Sequence, residues 1–510
     1  MTENATPPPA AVLLGSTATL PAGPTDTLPT SQALVTSERT VDSVIADMER
    51  FSFQHGELVL EEEVTPARIG CVVPAYNEEE TIRPVLKSLL AQTRRPDVIH
   101  VVVNNTTDNT FKLAKKFSGR HTRKRNGEEH TTTVVVHDIG KNPDKKVGAL
   151  NYGFLMVADY DFLLGVDGDT ILAKDTVAEL EHEMLSDPRI GGVSAIYTLD
   201  NRQRGLVGPL LLTGQRAQFA AFNMQNLVRG RNMAVLGGQC SLFSVAALKD
   251  VMAEHHQRSP WVRDSEVEDS LLSLQIKNLG YSTKISPVAR ATVGGMTTMR
   301  ALDGQQVKWN YGAIDLMWPG QRSNTAGQPF HPNLRLRWSE NVSMLFNIMT
   351  RAAFIILLVA SLSIGAYVFY PVWLIPPLVA VILNLRIALS VQSRSPRDIA
   401  FALLAVPAEV YLWLRMGHFV RAWAKFFSSR QTDNWAAQAR AERGAGHAFL
   451  MPAVVALIIG AGMVYAWSRL PVDLQSAILS IGWPILYITT MVQTAFMLRK
   501  ALRRHRGFRV

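Results

Sequence analysis

The stretch that decides the fold is Tyr160-Asp161-Phe162-Leu163-Leu164-Gly165-Val166-Asp167-Gly168-Asp169-Thr170. Its first part is mostly apolar, which is typical of a strand buried on both faces of a parallel sheet. The strand then ends in two carboxylates separated by a glycine. Asp167 and Asp169 would therefore lie in the crevice where open α/β sheets bind ligands. Their oxygens suit a hard cation, Mg²⁺ or Mn²⁺, although Asp and Gly are also ordinary turn residues.

The residues before this stretch alternate between strand-like and helix-like patterns. Residues 68–80 predict a strand running into a turn, two further strands are predicted over residues 98–103 and 132–137, and helices over residues 81–92 and 111–117. This alternation predicts an α/β fold with a mostly parallel, doubly wound sheet. Polar turns at residues 74–78, 104–108 and 167–169 are then expected on one edge of that sheet. The basic residues 121–130 favour a solvated loop over a patch for nucleic acid or lipid headgroups.

Length and charge limit the class of protein. A chain of 510 residues is too long for one ordinary core, so two or more domains are expected. Much of the +9 net charge lies beside apolar runs in the last third, which indicates membrane topology and not nucleic-acid binding. Cys71 and Cys240 form no disulfide framework or metal-ligand spacing and are expected to be reduced. Residues 1–39 predict a disordered tail, and the amino terminus lacks the pattern of a signal peptide.

Several motifs resemble, in order and spacing, those of the family 2 glycosyltransferases. They are Val73-Pro74-Ala75-Tyr76-Asn77-Glu78, Asn105-Thr106-Thr107-Asp108, Lys146-Val147-Gly148-Ala149-Leu150-Asn151 and Asp167-Gly168-Asp169-Thr170. Further on, Gly237-Gly238-Gln239 resembles the acceptor-side loop, Val267-Glu268-Asp269 the T-E-D motif and Gln305-Gln306-Val307-Lys308-Trp309 the Q-x-x-R-W motif. The resemblance covers about residues 65–320 and implies the nucleotide-sugar fold called GT-A. Together with the apolar segments that follow, it is similar to processive synthases of the hyaluronan, chitin and cellulose type.

The resemblance implies a role for each matched residue. Asp167 and Asp169 would hold the metal on the donor diphosphate. Asp269 would be the general base that takes the proton of the acceptor hydroxyl, unless it only favours the dipole of the helix that starts there. The donor-binding residues implied are Pro74, Ala75, Asn77, Glu78, Asn104, Asp108, Lys146, Asp167, Gln305 and Lys308. The acceptor-binding residues implied are Gly238, Gln239, Glu268 and Trp309.

Some of these positions have alternatives or depart from the family pattern. Asn77 could simply form a strand-end turn and helix cap, and Trp309 could anchor near a bilayer. Asn104 stands where many relatives carry an Asp that reads the uracil-side nucleotide. Lys308 replaces the motif's Arg, and a point charge instead of a planar fork weakens the inference of processive synthesis.

The last third of the chain contains four apolar stretches long enough to span a membrane. They cover residues 345–370, 371–385, 446–467 and 474–498. Residues 399–414 are shorter and carry Pro407 and Glu409, which favours a re-entrant or interfacial segment over a fifth crossing. Residues 419–427 are amphipathic, as in an interfacial helix. Residues 318–338 resemble a mobile loop that closes over the donor, but are equally typical of a linker.

Basic residues next to the spans predict their orientation. They follow the second span, precede the third and end the chain, so all three groups are expected in the cytosol. The predicted organisation is a tail (residues 1–39), a cytosolic GT-A domain (40–337) and a transmembrane domain (338–510). The catalytic domain and both termini would face the cytosol at the cell (plasma) membrane.

Together these features predict an inverting membrane glycosyltransferase. It would move a sugar from a nucleoside-diphosphate sugar, a UDP-sugar by resemblance, to a growing polysaccharide that is passed outward, with no nucleic-acid partner. The alternatives are addition of one sugar to a lipid-linked or surface glycan, and a non-catalytic scaffold that binds a nucleotide sugar. Intact Asp167, Asp169 and Asp269 argue against the scaffold. A transporter is disfavoured because the spans predict no intramembrane ion pair, and the lack of a charge-rich lining also weakens the synthase interpretation.

Overall fold

The strand that leads to Asp167 lies in the middle of a nine-stranded sheet. In this computed structural model the described residues are 66–125, 128–200, 206–263, 265, 267–318, 334–428, 434–442, 444 and 448–510. Their strands are β1 (Ile69–Ala75), β2 (Val98–Val103), β3 (Gly119–Arg125), β4 (Glu128–Asp138), β5 (Phe162–Gly165), β6 (Ile171–Leu172), β7 (Ile190–Leu199), β8 (Ser241–Ser244) and β9 (Ser282–Val293). The sheet order is β3-β4-β2-β1-β5-β8-β7-β9-β6. The predicted tail and most of the predicted donor loop, residues 319–333, lie outside the described residues.

The sheet is mixed, and its parallel part carries the predicted site. Strands β4, β2, β1 and β5 run parallel to one another, as the apolar strand pattern predicts. Strand β8 runs antiparallel to β5 and β7, and β3 and β6 are antiparallel to their neighbours. Every residue of β1 and β2 is buried. The turns after β1, β2 and β5 therefore meet at one edge, as predicted.

Helices cover the sheet and bring the later motifs to the same edge. They are α1 (Ile82–Leu90), α2 (Thr110–Lys115), α3 (Lys145–Met156), α4 (Thr176–Leu185), α5 (Val207–Val228), α6 (Val245–Glu254), α7 (Glu268–Asn278) and α8 (Met299–Met317). Helix α1 buries Ile82, Val85, Leu86 and Leu89, which are residues at the predicted helical spacing. Helix α7 begins at Glu268, so the predicted start of this helix is confirmed.

The prediction that residues 121–130 form a solvated loop is wrong. The segment forms most of an antiparallel hairpin in which Arg123 pairs with His130. Strand β3 reads Gly-Arg-His-Thr-Arg-Lys-Arg and has no apolar face, so the sequence pattern could not show it. It lies at the edge of the sheet, where charged residues are common because they oppose edge-to-edge pairing.

Seven α-helices follow the sheet domain in the described residues. They are α9 (Arg335–Ser363), α10 (Ile375–Ser390), α11 (Pro396–Leu403), α12 (Ala405–Phe427), α13 (Asn434–Glu442), α14 (Met451–Ser468) and α15 (Val472–Leu502). Four helical segments are long and apolar enough to cross a membrane: Arg335–Ser363, Pro371–Ser390, Met451–Ser468 and Val472–Leu502. Helices α11 and α12 are bent by 84° at their junction, and would make a fifth crossing only as one broken span.

Two ion pairs join α11 and α12 to helices of the sheet domain. The Arg216 guanidinium of α5 donates to both oxygens of Asp398 in α11, at 3.0 Å each, and the two side chains are only 5% and 6% exposed. In α12, Arg421 pairs with Asp303 of α8. Ala422 also packs beside Val307 of α8. The predicted amphipathic segment over residues 419–427 therefore lies against the helix that carries the Q-x-x-K-W residues.

An ion pair joins the apolar helix α9 to α12, which is outside the four predicted spans. Arg351 of α9 pairs with Glu409 of α12 through two hydrogen bonds, one of them 3.0 Å between Nη2 and Oε2. The sequence pattern could not show this pair because its members are 58 residues apart in the chain.

Candidate active site

A cleft of about 1120 Å³ opens at the edge where β1, β2 and β5 end. Its floor is formed by the turns after these strands, and its walls by α5, α7 and α8. The predicted site residues that line it are Pro74, Ala75, Glu78, Asn104, Lys146, Asp167, Asp169, Gln239, Glu268, Asp269, Gln305, Lys308 and Trp309. Residues from seven separate motifs are thus brought into one cavity.

Glycine is required at the centre of the Asp167-Gly168-Asp169 turn. A Cβ atom on Gly168 would lie 2.8 Å from Glu78 Cγ and 3.2 Å from the Pro74 carbonyl oxygen. A methyl group at that position would force the β1 and β5 turns apart. The close approach keeps Glu78 beside the two aspartates, so three carboxyl groups share this part of the cleft.

Burial and the nearness of the carboxyl groups to one another raise the pKa of two of them. Burial, followed by the charge of Asp169, raises the pKa of Glu78 to about 8. Burial and the charge of Asp167 raise the pKa of Asp169 to about 6. Burial is the larger cause of both shifts and repulsion from the neighbouring carboxylate is the second, and a bound cation would relieve that repulsion.

The donor set fits a hard divalent cation bound mainly through substrate. Within the described ranges, no group of three or more His, Cys, Asp or Glu side chains could hold a metal ion. Asp167 and Asp169 would therefore hold it as a pair, with phosphate oxygens and water completing the shell, as is common for Mg²⁺. Lys146 engages one oxygen of Asp167, which leaves the other oxygen and Asp169 to face a cation.

Lys146 links the paired aspartates to the start of α7. Its Nζ lies 2.7 Å from Asp167 Oδ1 and 3.9 Å from Glu268 Oε1. Burial opposes the charge of Lys146, but Asp167, Asp269 and Glu268 outweigh this effect and raise its pKa. The ammonium group therefore stays charged between the two halves of the cleft.

Asp269 lies on the opposite side of this lysine. Its Oδ2 accepts a hydrogen bond of 2.8 Å from the Gly238 N–H. A Cβ atom on Gly238 would lie 2.6 Å from Lys146 Nζ and 2.9 Å from Asp167 Oδ1. The Gly238 backbone therefore lies between Asp167 and Asp269. Burial, and then the charge of Glu268, raises the pKa of Asp269 well above its usual range. A carboxylate with a raised pKa suits a general base near neutral pH.

Helix α8 contributes polar and aromatic groups to the wall. Gln305 Oε1 is buried without a hydrogen-bond partner in the described part of the chain, and so is Gln239 Oε1 across the cleft. Buried polar atoms of this kind are costly unless a ligand satisfies them. The Trp309 ring lies 6.2 Å from that of Phe219 and borders the cavity. This wall therefore suits a ligand with both hydroxyl groups and apolar ring faces.

A known protein family matches the part of the chain that forms this cleft. The family described as "Glycosyltransferase like family 2" matches residues 66–312. This range contains all the motifs that meet in the cavity.

Residues 66–312 form a family 2 glycosyltransferase domain.

Relatives of this glycosyltransferase domain include polysaccharide synthases. The poly-beta-1,6-N-acetyl-D-glucosamine synthase of Staphylococcus aureus (strain COL) is 25% identical over 249 residues, which cover 49% of this chain and 55% of that protein. The synthase of the same name from Staphylococcus epidermidis is 24% identical over 275 residues, or 52% of this chain and 60% of that protein. The match therefore spans little more than half the length of either relative.

A solved structure is similar to the chain only at a low level. The mannosyltransferase PcManGT from Pyrobaculum calidifontis, in complex with GDP-Man and Mn²⁺, is 14% identical with a TM-score of 0.33. The similarity covers 89% of this chain and 96% of that one.

Three predicted residues have structural contacts but do not line the cavity with their side chains. Asn77 adopts a left-handed φ of 53°, and its Oδ1 accepts a 2.9 Å hydrogen bond from the Thr107 N–H. Asp108 accepts hydrogen bonds from the Thr110 and Glu79 N–H groups at 2.9 and 3.2 Å. Both side chains thus hold the β1 and β2 turns together. Gly238 contributes its backbone, as described above, and direct ligand contacts by these residues stay predictions.

The sequence interpretation missed one wall of the glycosyltransferase cleft. Helix α5 presents Gln215, Gln218, Phe222 and Gln225 to the cavity. Their spacing of three, four and three residues places them on one helical face, and this was the signal available in the sequence. Gln218 accepts a 2.9 Å hydrogen bond from the Tyr411 hydroxyl and donates to Gln306 Oε1 at 3.3 Å. It therefore joins α5 to α8 and α12 at the cleft.

Proposed function

We propose that this chain transfers a sugar from a nucleoside-diphosphate sugar to a hydroxyl group of a growing polysaccharide, with inversion at the anomeric carbon. The observation that carries the proposal is the shared position of Lys146 between the Asp167–Asp169 pair and the Glu268–Asp269 pair. The backbone of Gly238 thereby lies between the donor-phosphate site and the candidate base. Direct transfer needs this proximity, since the acceptor oxygen must reach the anomeric carbon as its proton is removed.

In this proposal the chemistry is divided between the two sides of the cleft. Asp269 removes the proton from the acceptor hydroxyl, and that oxygen forms its bond to the anomeric carbon. The bond between this carbon and the diphosphate oxygen breaks, and the nucleoside diphosphate leaves. Lys146 favours the negative charge that develops on the leaving group. A cation held by Asp167 and Asp169 would neutralise further charge on the diphosphate.

The shape of the cleft supports a polymeric acceptor. Its lining begins at Pro74 at the sheet edge and continues to Asn347 on α9 and Leu412 on α12. It thus extends from the edge of the sheet to α9 and α12. The names of the two synthase relatives favour the same interpretation. A glycan that grows towards the membrane, and is passed outward through it, would follow this extension.

Contacts of the chain end support a cytosolic location for both the glycosyltransferase domain and the carboxyl terminus. Arg503 donates a 2.9 Å hydrogen bond to the Val228 carbonyl oxygen at the end of α5. Arg290 of β9 donates to the Arg509 carbonyl oxygen, also at 2.9 Å. The basic tail therefore lies on the same side as the catalytic cleft. Nucleotide sugars are made in the cytosol, which would place both there.

A donor screen tests the proposed function. Membranes that contain the protein are incubated with individual radiolabelled nucleotide sugars, and the product is then sized. We expect one UDP-sugar to be consumed and the label to appear in chains of many sugars. A product with a single added sugar under excess donor would support the alternative of single addition. No turnover of any donor would leave only a binding function for the domain.

The pH dependence of the reaction should report the ionisation of Asp269. The base acts only when ionised, so kcat/KM should be low in acid and rise as the pH passes the pKa of Asp269. Because burial and Glu268 raise this pKa, the midpoint should lie well above the roughly 3.9 of an ordinary aspartate. Initial rates over a pH series, with donor affinity measured at each pH, check this expectation. A flat profile from acid to neutral pH would contradict it.

A further inference from the structure

Basic side chains collect where two of the apolar segments end. The segments Pro371–Ser390 and Val472–Leu502 end next to each other, because Arg386 of α10 donates a hydrogen bond to the Arg503 carbonyl oxygen just after α15. Residues 386–397 and 499–510 contain nine basic side chains and no acidic one. These residues, which we call the span-end cations, are Arg386, Arg394, Arg397, Arg499, Lys500, Arg503, Arg504, Arg506 and Arg509.

The backbone that follows α15 is held in place by neighbouring elements. The Val510 N–H donates to the Ser390 carbonyl oxygen at 2.9 Å. The Gln392 N–H in turn donates to the Val510 carbonyl oxygen at 2.5 Å. Arg290 of β9 donates to the Arg509 carbonyl oxygen at 2.9 Å. These bonds use the amide and carbonyl groups of the basic tail, so the tail lies against the end of α10 and its charges are kept there.

Three side chains of this region have no use within the described residues. Arg499, Arg504 and Arg506 are exposed, and none of them has a hydrogen bond or an ion pair with another residue of the described ranges. Their guanidinium groups are therefore available to an anionic ligand, while the tail that carries two of them is already in place.

Apolar side chains adjoin these cations. Leu498 and Leu502 lie beside Arg499 on α15 and are 42% and 72% exposed, and Leu389 at the end of α10 is 50% exposed. A phospholipid has an anionic headgroup directly next to its acyl chains, so it would cover both kinds of side chain. An acidic segment of a protein would neutralise the arginines but would leave the leucines in water. The combination thus favours lipid as the occupant.

We propose that the span-end cations and the leucines beside them bind anionic phospholipids of the membrane. A neutral headgroup such as phosphatidylcholine would leave the excess charge uncompensated, whereas each Lys or Arg near an anionic membrane surface contributes about five-fold in affinity. Lipids bound there would hold the tail, and through Arg290 strand β9, at the bilayer surface. The inference requires the apolar helices to lie in a membrane, but it does not depend on which sugar the protein transfers.

The test uses the full chain in nanodiscs of phosphatidylcholine that contain a minor fraction of phosphatidylglycerol. After brief extraction into detergent, native mass spectrometry counts the lipids of each kind that stay bound. We expect phosphatidylglycerol to be enriched about five-fold or more over its share of the bilayer, and R499Q/R504Q/R506Q to reduce it to that share. R499K/R504K/R506K keeps the charges and should keep the enrichment. High salt should weaken it, because the interaction is screened.

A matched control and a second measurement complete the test. K87Q/K112Q/K116Q removes three exposed charges from α1 and the end of α2, which follow no span, and should leave the enrichment unchanged. Trypsin should cleave the unaltered tail more slowly in discs with phosphatidylglycerol than in discs of phosphatidylcholine alone, because bound headgroups cover the arginines. Unchanged enrichment in R499Q/R504Q/R506Q, or an equal loss in the control, would overturn the inference. Equal cleavage in both kinds of disc would overturn it as well.

Discussion

Replacing Asp269 with asparagine is expected to lower the rate of sugar transfer by about 10²- to 10⁴-fold, the usual contribution of a general base. Asparagine has the same shape, and its carbonyl oxygen can still accept the Gly238 N–H that Asp269 binds at 2.8 Å. It cannot take a proton from the acceptor hydroxyl. The donor binds on the other side of Lys146, so its affinity should remain near that of the unaltered protein.

Release of nucleoside diphosphate at saturating donor, together with donor binding by calorimetry, measures the two effects separately. Asp187→Asn is a suitable control, because Asp187 pairs with Arg189 at the surface and does not line the cleft. Surface pairs of this kind contribute little to stability. An unchanged transfer rate in the Asp269→Asn variant would show that Asp269 is not the general base. An equal loss in Asp187→Asn would indicate that the assay reports protein integrity and not chemistry.

Removal of divalent metal is expected to reduce transfer by about 100-fold or more, because charge stabilisation by a bound metal contributes several kcal/mol. Glu78, Asp167 and Asp169 crowd one end of the cleft, where burial, and then the charge of a neighbouring carboxylate, raises the pKa of Glu78 to about 8 and that of Asp169 to about 6. A donor diphosphate would add further negative charge at this point. Lys146 alone cannot neutralise all of these groups, since it also faces Glu268.

The measurement is transfer in EDTA, followed by titration with Mg²⁺ or Mn²⁺. Thermal unfolding with UDP, with and without metal, gives a second readout that does not depend on turnover. Metal should raise the melting temperature in the presence of UDP, and Asp169→Asn should weaken this effect. Full activity in EDTA would contradict a metal role for Asp167 and Asp169.

The part of the fold that follows from local pattern could be predicted from the sequence. The apolar stretch before Asp167 and the apolar runs before Asn77 and Asn104 indicated buried parallel strands, and the structure confirms them. Parallel strands place their carboxyl ends together, so the approach of Glu78 to the Asp167–Asp169 turn followed from topology. The helix that starts at Glu268 was recognisable from its apolar spacing.

The contacts that distant segments make could not be predicted in this way. Strand β3 lacks an apolar face, so its pairing with β4 depends on backbone hydrogen bonds that leave no mark in composition. The position of Lys146 between two acidic pairs depends on where α3, β5 and α7 meet in space. The ion pair of Arg351 with Glu409 likewise joins two helices whose charged residues are 58 positions apart in the chain. Hydrophobic periodicity indicates the structure of one helix or strand at a time, whereas these contacts each join two or more elements.

The ion pairs of Arg216 with Asp398 and of Asp303 with Arg421 have a consequence for how the protein can be divided. A soluble fragment that stops at residue 312, where the family match ends, would keep Arg216 and Asp303 but lose both of their partners. The same cut would uncover Leu211 and Leu302, which are buried against Phe401 and Tyr411, so the fragment would expose apolar surface as well as two unpaired charges. Residue 312, where the family match ends, is therefore not a suitable position at which to truncate the chain. Biochemical work will need the helices that follow, kept in detergent or lipid.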